Sequence, residues 1–187
     1  YKASKVCWML LLTKLVWNNK KKKKMKPIVS IIMGSTSDLP VMEKAAKLLD
    51  EMQVPFEMNA LSAHRTPEAV EEFAKNAAGR GIKVIIAAAG MAAALPGVIA
   101  ASTTLPVIGV PIKSSNSVDG WDSILSILQM PSGIPVATVA LNNARNAAIL
   151  AAQMIATGDN NLYEKLLDFK TSLKEKVIEA NNKLQEK

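Results

Sequence analysis

The chain has 187 residues, 49% of them hydrophobic and only 4% aromatic, so Ala, Val, Ile, Leu and Met must build its core. A net charge of +7 would fit a nucleic-acid or anionic-membrane partner, but the charge is concentrated at one end. Residues 1–24, YKASKVCWMLLLTKLVWNNKKKKK, hold eight Lys and no acid, which leaves 15 basic residues against 16 acidic ones, a net of −1, in the rest of the chain.

Within that stretch the apolar run Met9–Trp17 is broken by Lys14 and falls short of the roughly 20 residues a membrane span needs. The Lys tract follows the apolar run, the reverse of a secretory signal. Met25 opens MKPIVSIIMG as a native start would. Residues 1–24 are therefore expected to be a non-native or disordered extension, with one α/β domain over 25–160 and a C-terminal helix over 161–187. The one cysteine, Cys7, precedes Met25, so the body of the chain has no disulfide or thiolate site, in keeping with a cytoplasmic protein.

From Met25 onward, strand and helix signals alternate. IVSIIMG (28–34) is a short apolar run ending in Gly, read as a buried strand. Residues 39–53 have apolar positions at helical spacing, and PFEMNAL (55–61) is a second strand. Residues 66–81 read as a helix, with Thr66 as N-cap, Pro67 at the first helical position and stops at Gly79 and Gly81. KVIIAAAG (83–90) is a third strand, and 92–103 a helix with Pro96 in its first turn. LPVIGVPI (105–112), a helix over 119–130, the strand IPVATVAL (134–141) and an Ala-rich helix over 143–159 complete the series. Five near-continuous apolar strands alternating with helices predict an α/β three-layer, flavodoxin-like, doubly wound parallel sheet of five strands. The extra C-terminal helix carries apolar residues at 162, 166, 169, 173, 177, 180 and 184, a stripe that packs either on its own domain or on a neighbouring subunit.

In such folds ligands bind beyond the carboxyl ends of the strands, so the loops there carry the candidates. GSTSD (34–38) opens a helix with one Gly, hydroxyls and a carboxylate. It either holds an anion on its amides or serves only as a cap through Ser37 or Asp38. SAHRTP (62–67) contains the only histidine, His64, beside Arg65. Arg is well shaped to hold phosphate, and an imidazole titrates near neutrality, so His64 is either structural or a proton-transfer group. AAAGMAAALPG (87–97) has side chains small enough for a flat ligand to approach the backbone, or for helix and sheet to pack tightly. KSSNSVDGWDS (113–123) is a polar loop that reads as a lid or a subunit contact. No metal cage, P-loop, dinucleotide fingerprint or nucleophile elbow is present. An anion loop, an Arg and one proton-transfer residue fit acid–base chemistry on a phosphorylated small molecule.

Taken together, GSTSD, SAHRTP, AAGMAAALPG, PVIGVP and SILQMPSGIPVATVAL resemble the N(5)-carboxyaminoimidazole ribonucleotide mutases of bacterial purine biosynthesis, in order and spacing from about Pro27 to Asp159. The resemblance implies a cytoplasmic homo-octamer that moves a carboxylate from the exocyclic nitrogen to the ring carbon of the substrate imidazole, without metal, ATP or organic cofactor. It implies that Ser35, Ser37 and Arg65 hold the 5′-phosphate with Ser62 nearby, that Asp38 binds the ribose, and that His64 is the general acid–base. Gly90, Met91, Ala92 and Ala93 would line the base with backbone amides, next to Leu95. The related branch that carboxylates aminoimidazole ribonucleotide directly typically has Lys where Arg65 stands, so Arg65 favours the mutase. Ala94 departs from a second His found in many members, and NNARNAA departs from the Gly-Ala pattern after the fifth strand. The alternatives are the direct carboxylase, separable by its need for bicarbonate, and a non-catalytic nucleotide-binding module. A flavin module would want stacking aromatics in its loops, where only Trp121 is available. A nucleic-acid partner conflicts with the −1 charge after Met25.

Overall fold

The computed structural model describes residues 26–186, so the expected extension over 1–24 lies outside the described residues. Five parallel strands form one sheet in the order β2-β1-β3-β4-β5. They are β1 (Val29–Met33), β2 (Phe56–Ala60), β3 (Val84–Gly90), β4 (Val107–Ile112) and β5 (Ala137–Thr138). The crossovers are α1 (Leu39–Glu51, after a 3-10 turn at Thr36–Asp38), α2 (Pro67–Ala77), α3 (Leu95–Ser102) and α4 (Trp121–Leu128). Helices α5 (Ala144–Ala156) and α6 (Asn160–Gln185) follow β5. This is the doubly wound, flavodoxin-like fold that the alternation of elements predicts.

The period-2 geometry of the strands sorts their side chains into two cores. Val29, Ile31 and Met33 of β1, with Ile86 and Val110 of β3 and β4, face α1, α5 and the start of α6. Ile32, Ile85 and Ala87 face α2, α3 and α4, where Val70, Ile99 and Ile127 meet them. On the first face, the buried residues of α5 from Ala144 to Ala152 are all alanine, which lets this helix lie close to α1 and the sheet.

Most differences from the expected boundaries have local causes. The strand expected over 134–141 pairs as a strand only at Ala137 and Thr138, because β5 is an edge strand and Pro135 brings no N–H. Its pairing with β4 continues through Val139 N–H to Gly109 O (3.1 Å) and Asn142 N–H to Pro111 O (2.8 Å). Helix α3 starts at Leu95 rather than 92 because Met91 and Ala93 have φ of 55° and 29°. Helix α4 starts after Gly120, whose φ is 89° and whose Cβ, if present, would lie 2.6 Å from Leu141 Cδ2.

In α6, Asp159 Oδ1 accepts from Leu162 N–H (3.0 Å) and starts the helix. Leu162 and Leu166 are buried and Phe169 packs against the same core, so the first part of the apolar stripe rests on its own domain. From Leu173 to Leu184 the stripe is exposed. Among the described residues no helix is long and apolar enough to cross a membrane.

Candidate functional site

The strand order reverses between β1 and β3, and a cleft of ≈ 450 Å³ opens at their carboxyl ends. Its first wall comes from the loops after β1 and β2. Backbone bonds from Gly34 N–H to Ala88 O (3.1 Å) and from Leu61 N–H to Met33 O (3.0 Å) tie both loops to the sheet.

In the loop after β1, the capping hydroxyl belongs to Ser35. Its Oγ accepts from Ser37 N–H at 3.3 Å, whereas Asp38, at the N-cap of α1, makes no side-chain cap bond. Ser37 is the hydroxyl donor to Asp38 Oδ1 at 3.2 Å. The Asp38 carboxyl is buried, and burial raises its pKa above the usual carboxylate value. Hydrogen bonds from the Ser37 side chain and the Ser35 backbone oppose that rise without cancelling it.

The loop after β2 is a closed turn. Thr66 N–H donates to Ser62 O (2.8 Å), and Thr66 Oγ1 both accepts from Ser62 N–H (3.0 Å) and donates to Ser62 O (3.1 Å). Thr66 thus stands at the N-cap of α2 as expected, but its hydroxyl turns back into the loop instead of capping the helix. Arg65 links the two loops: its Nη2 donates to Gly34 O at 3.1 Å and its Nε to Ser62 Oγ at 3.3 Å. These bonds use two of the five guanidinium N–H groups and hold the fork in the cleft. His64 lines the same cleft and is exposed to solvent.

The opposite wall follows β3 and β4. Here the backbone is unusual: Met91 and Ala93 occupy left-handed φ without being glycine, a conformation that costs about 1–3 kcal/mol and gathers at functional sites. Ala93 N–H donates to Gly90 O at 3.1 Å and closes the turn. Gly90, Met91, Ala93 and Leu95 line the cleft together with Ala94. Ala92 does not: its carbonyl accepts from Ser126 Oγ of α4 at 2.6 Å, and the residue stands outside the lining. The cleft also takes in Gly34, Ala63, Ala89 and Ser114, which the sequence reading did not single out. Ser114 is one of three serines in the loop between β4 and α4, and nothing in the sequence marks it among them. Among the described residues no group of three or more His, Cys, Asp or Glu is placed to hold a metal ion.

On this doubly wound fold the switch-point cleft brings together an arginine, paired serines and a solvent-facing imidazole, the residue types that anion binding and proton transfer draw on. The AIR carboxylase family model matches residues 28–176, and the chain belongs to that family. It is 58% identical over 161 residues to the N5-carboxyaminoimidazole ribonucleotide mutase of Pyrococcus horikoshii, covering 86% of this chain and 90% of that protein. It is 52% identical to the mutase of Bacillus subtilis, covering 86% and 99%. The phosphoribosylaminoimidazole carboxylase of Schizosaccharomyces pombe is 54% identical over 85% of this chain, which spans only 29% of that longer protein. The crystal structure of Treponema denticola PurE superposes with a TM-score of 0.76 at 34% identity, covering 84% of this chain and 98% of that one.

Proposed function

We propose that this protein is an N5-carboxyaminoimidazole ribonucleotide mutase of purine biosynthesis, with its active site in the cleft between the ends of β1 and β3. The observation that carries the site is the convergence of Ser35, Ser37, Arg65 and His64 on that one cleft. The 5′-phosphate sits on the Ser35–Ser37 hydroxyls, the helix start behind them and the Arg65 fork, with Ser62 orienting the arginine. The Asp38 carboxylate accepts from the ribose hydroxyls, and the 90–95 turn packs its backbone against the base.

His64 then serves two steps. As imidazolium it gives a proton to the exocyclic nitrogen while the N–C bond to the carboxylate breaks and carbon dioxide leaves with the carbonyl carbon. The ring carbon attacks that carbon dioxide, forming the new C–C bond, and neutral His64 removes the proton left on the ring carbon. The imidazolium is regenerated and the net reaction is an isomerisation that consumes no co-reactant. One group can do both because the proton an imidazole gives up in the first transfer leaves the free nitrogen that takes the proton in the second.

The same reading makes the enzyme a cytoplasmic homo-octamer. The exposed apolar residues Val118, Trp121, Leu125 and Leu128 around α4 supply surface for neighbouring subunits.

The test is an ultraviolet assay on the purified protein. Rapid conversion of N5-carboxyaminoimidazole ribonucleotide without added bicarbonate is the expected result. Efficient turnover of aminoimidazole ribonucleotide at modest bicarbonate instead would make the protein a direct carboxylase. Turnover of neither would overturn the assignment.

A further inference from the structure

The far wall of the cleft holds a polar group that neither the fold nor the acid–base chemistry uses. Ser114 Oγ is buried and has no hydrogen-bond partner among the described residues. Its surroundings are satisfied. The Ser114 carbonyl accepts from Ser117 N–H (3.1 Å) and Ser117 Oγ (2.9 Å), and the neighbouring Lys113 N–H donates to Asn142 Oδ1 (2.9 Å). Ser123, nearby and fully buried, has the carbonyls of Ile112 (3.1 Å) and Gly120 (3.0 Å) as acceptors for its hydroxyl. A buried hydroxyl without a partner is unfavourable and rare in folded proteins, so Ser114 calls for an explanation that Ser123 does not.

Its place supplies one. Ser114 lines the same cleft as His64 and Arg65. The order β2-β1-β3-β4 puts it two strand spacings, about 10 Å, beyond the phosphate loop after β1. A ribonucleotide anchored by its phosphate at Arg65 extends its base toward this end. There the other lining residues are Ala89, Gly90, Met91, Ala93, Ala94 and Leu95, none with a side-chain hydrogen-bond donor. Ser114 Oγ packs directly against Gly90, where a Cβ would lie 3.1 Å from it and 3.1 Å from Ile112 O, so the residue facing the hydroxyl has to be glycine.

We infer that Ser114 is a substrate-binding residue whose hydroxyl donates a hydrogen bond to the migrating carboxylate. The inference rests on the mutase reading of the cleft. The hydroxyl is left without a protein partner and gains one only when the carboxylated nucleotide binds.

The test compares wild type with Ser114→Ala by calorimetric titration of carboxyaminoimidazole ribonucleotide, aminoimidazole ribonucleotide and ribose 5-phosphate, alongside thermal unfolding. Loss of a hydrogen bond to a charged group should weaken binding of the carboxylated nucleotide about tenfold or more. Ribose 5-phosphate, which reaches only the Arg65 end, should bind unchanged, and aminoimidazole ribonucleotide nearly so. The melting temperature should stay level or rise, because the variant removes an unpartnered buried hydroxyl. Equal affinity of Ser114→Ala and wild type for the carboxylated nucleotide overturns the inference. So does a uniform loss on all three probes with a lowered melting temperature, which would make Ser114 a structural residue. Failure of the underlying reading shows in the wild type itself, as no binding of either imidazole ribonucleotide.

Discussion

The two ends of the cleft are built from different materials. The end formed after β1 and β2 is made of side-chain chemistry: Ser35, Ser37, Asp38, Ser62 and Arg65, tied by hydrogen bonds within and across two loops, with His64 exposed beside them. The end formed after β3 and β4 is made of backbone shape: a left-handed turn through Met91 and Ala93, small side chains and one hydroxyl at Ser114. The first end suits a charged phosphate and a proton, which need donors and a base. The second suits a flat ring, which needs room and backbone contact. Substitutions of His64 and Arg65 at the first end should therefore break chemistry or binding outright, and those at the second should tune them.

The largest effect is expected at His64. General acid–base groups contribute about 10²–10⁴ to rate, and here one group serves both transfers. His64→Asn should lower kcat at least about 10³-fold while nucleotide affinity and melting temperature hold, because the side chain is exposed and packs into no core. Retained turnover in the ultraviolet assay would remove the acid–base role. Next comes Arg65→Ala, which deletes the bonds to Gly34 O and Ser62 Oγ as well as the phosphate contact. Charge-assisted bonds of this kind are worth about 1.5–3 kcal/mol each, so KM should rise about 100-fold. Binding of the dephosphorylated ribonucleoside should be little changed; an equal loss there would move the phosphate elsewhere.

The same contrast explains what could be read from the chain alone. Strand runs such as VIIAAAG and the helical segment after Thr66 announce themselves by periodicity and composition, and the doubly wound class follows from the alternation, whereas the strand order is seen only in the fold. Ser35, His64 and Arg65 stand out because their chemistry is written in their side chains and the topology sends their loops to one cleft. The base end is less legible. A turn built by non-glycine residues at positive φ has no sequence signal, since Met91 and Ala93 do not favour that conformation. For the same reason Ala92 reads from the sequence as part of the wall, whereas in the fold it lies outside the cleft lining. Ser114 could not be told from Ser115 or Ser117 until its hydroxyl was seen to lack a partner.

A smaller effect is expected from Met91→Gly. Glycine adopts a φ of 55° without the side-chain clash, so the variant should unfold at higher denaturant, by about 1 kcal/mol at most. The looser turn should hold the base less well, lowering kcat/KM a few-fold. Stability and activity moving in opposite directions would mark the strain as functional. Both falling together would make it a packing feature.

The smallest and most pH-specific effect belongs to Asp38. Burial raises its carboxyl pKa in the folded protein above that of the unfolded chain. Its contribution to stability is then fully present below the ordinary carboxylate range and is lost as pH rises through the raised folded value. At neutral pH the ionised carboxylate therefore works against folding, and only part of that is offset by the Ser37 hydroxyl at 3.2 Å and the Ser35 backbone. Asp38→Asn should raise the melting temperature at pH 7, and the gain should vanish at a pH below the unfolded carboxylate range. Substrate affinity should fall, since the amide keeps one acceptor oxygen where the carboxylate offers two. A lower melting temperature at pH 7 would mean that the carboxylate stabilises the loop after β1. The gain in stability with loss of affinity would mean instead that the buried charge is kept for the ribose.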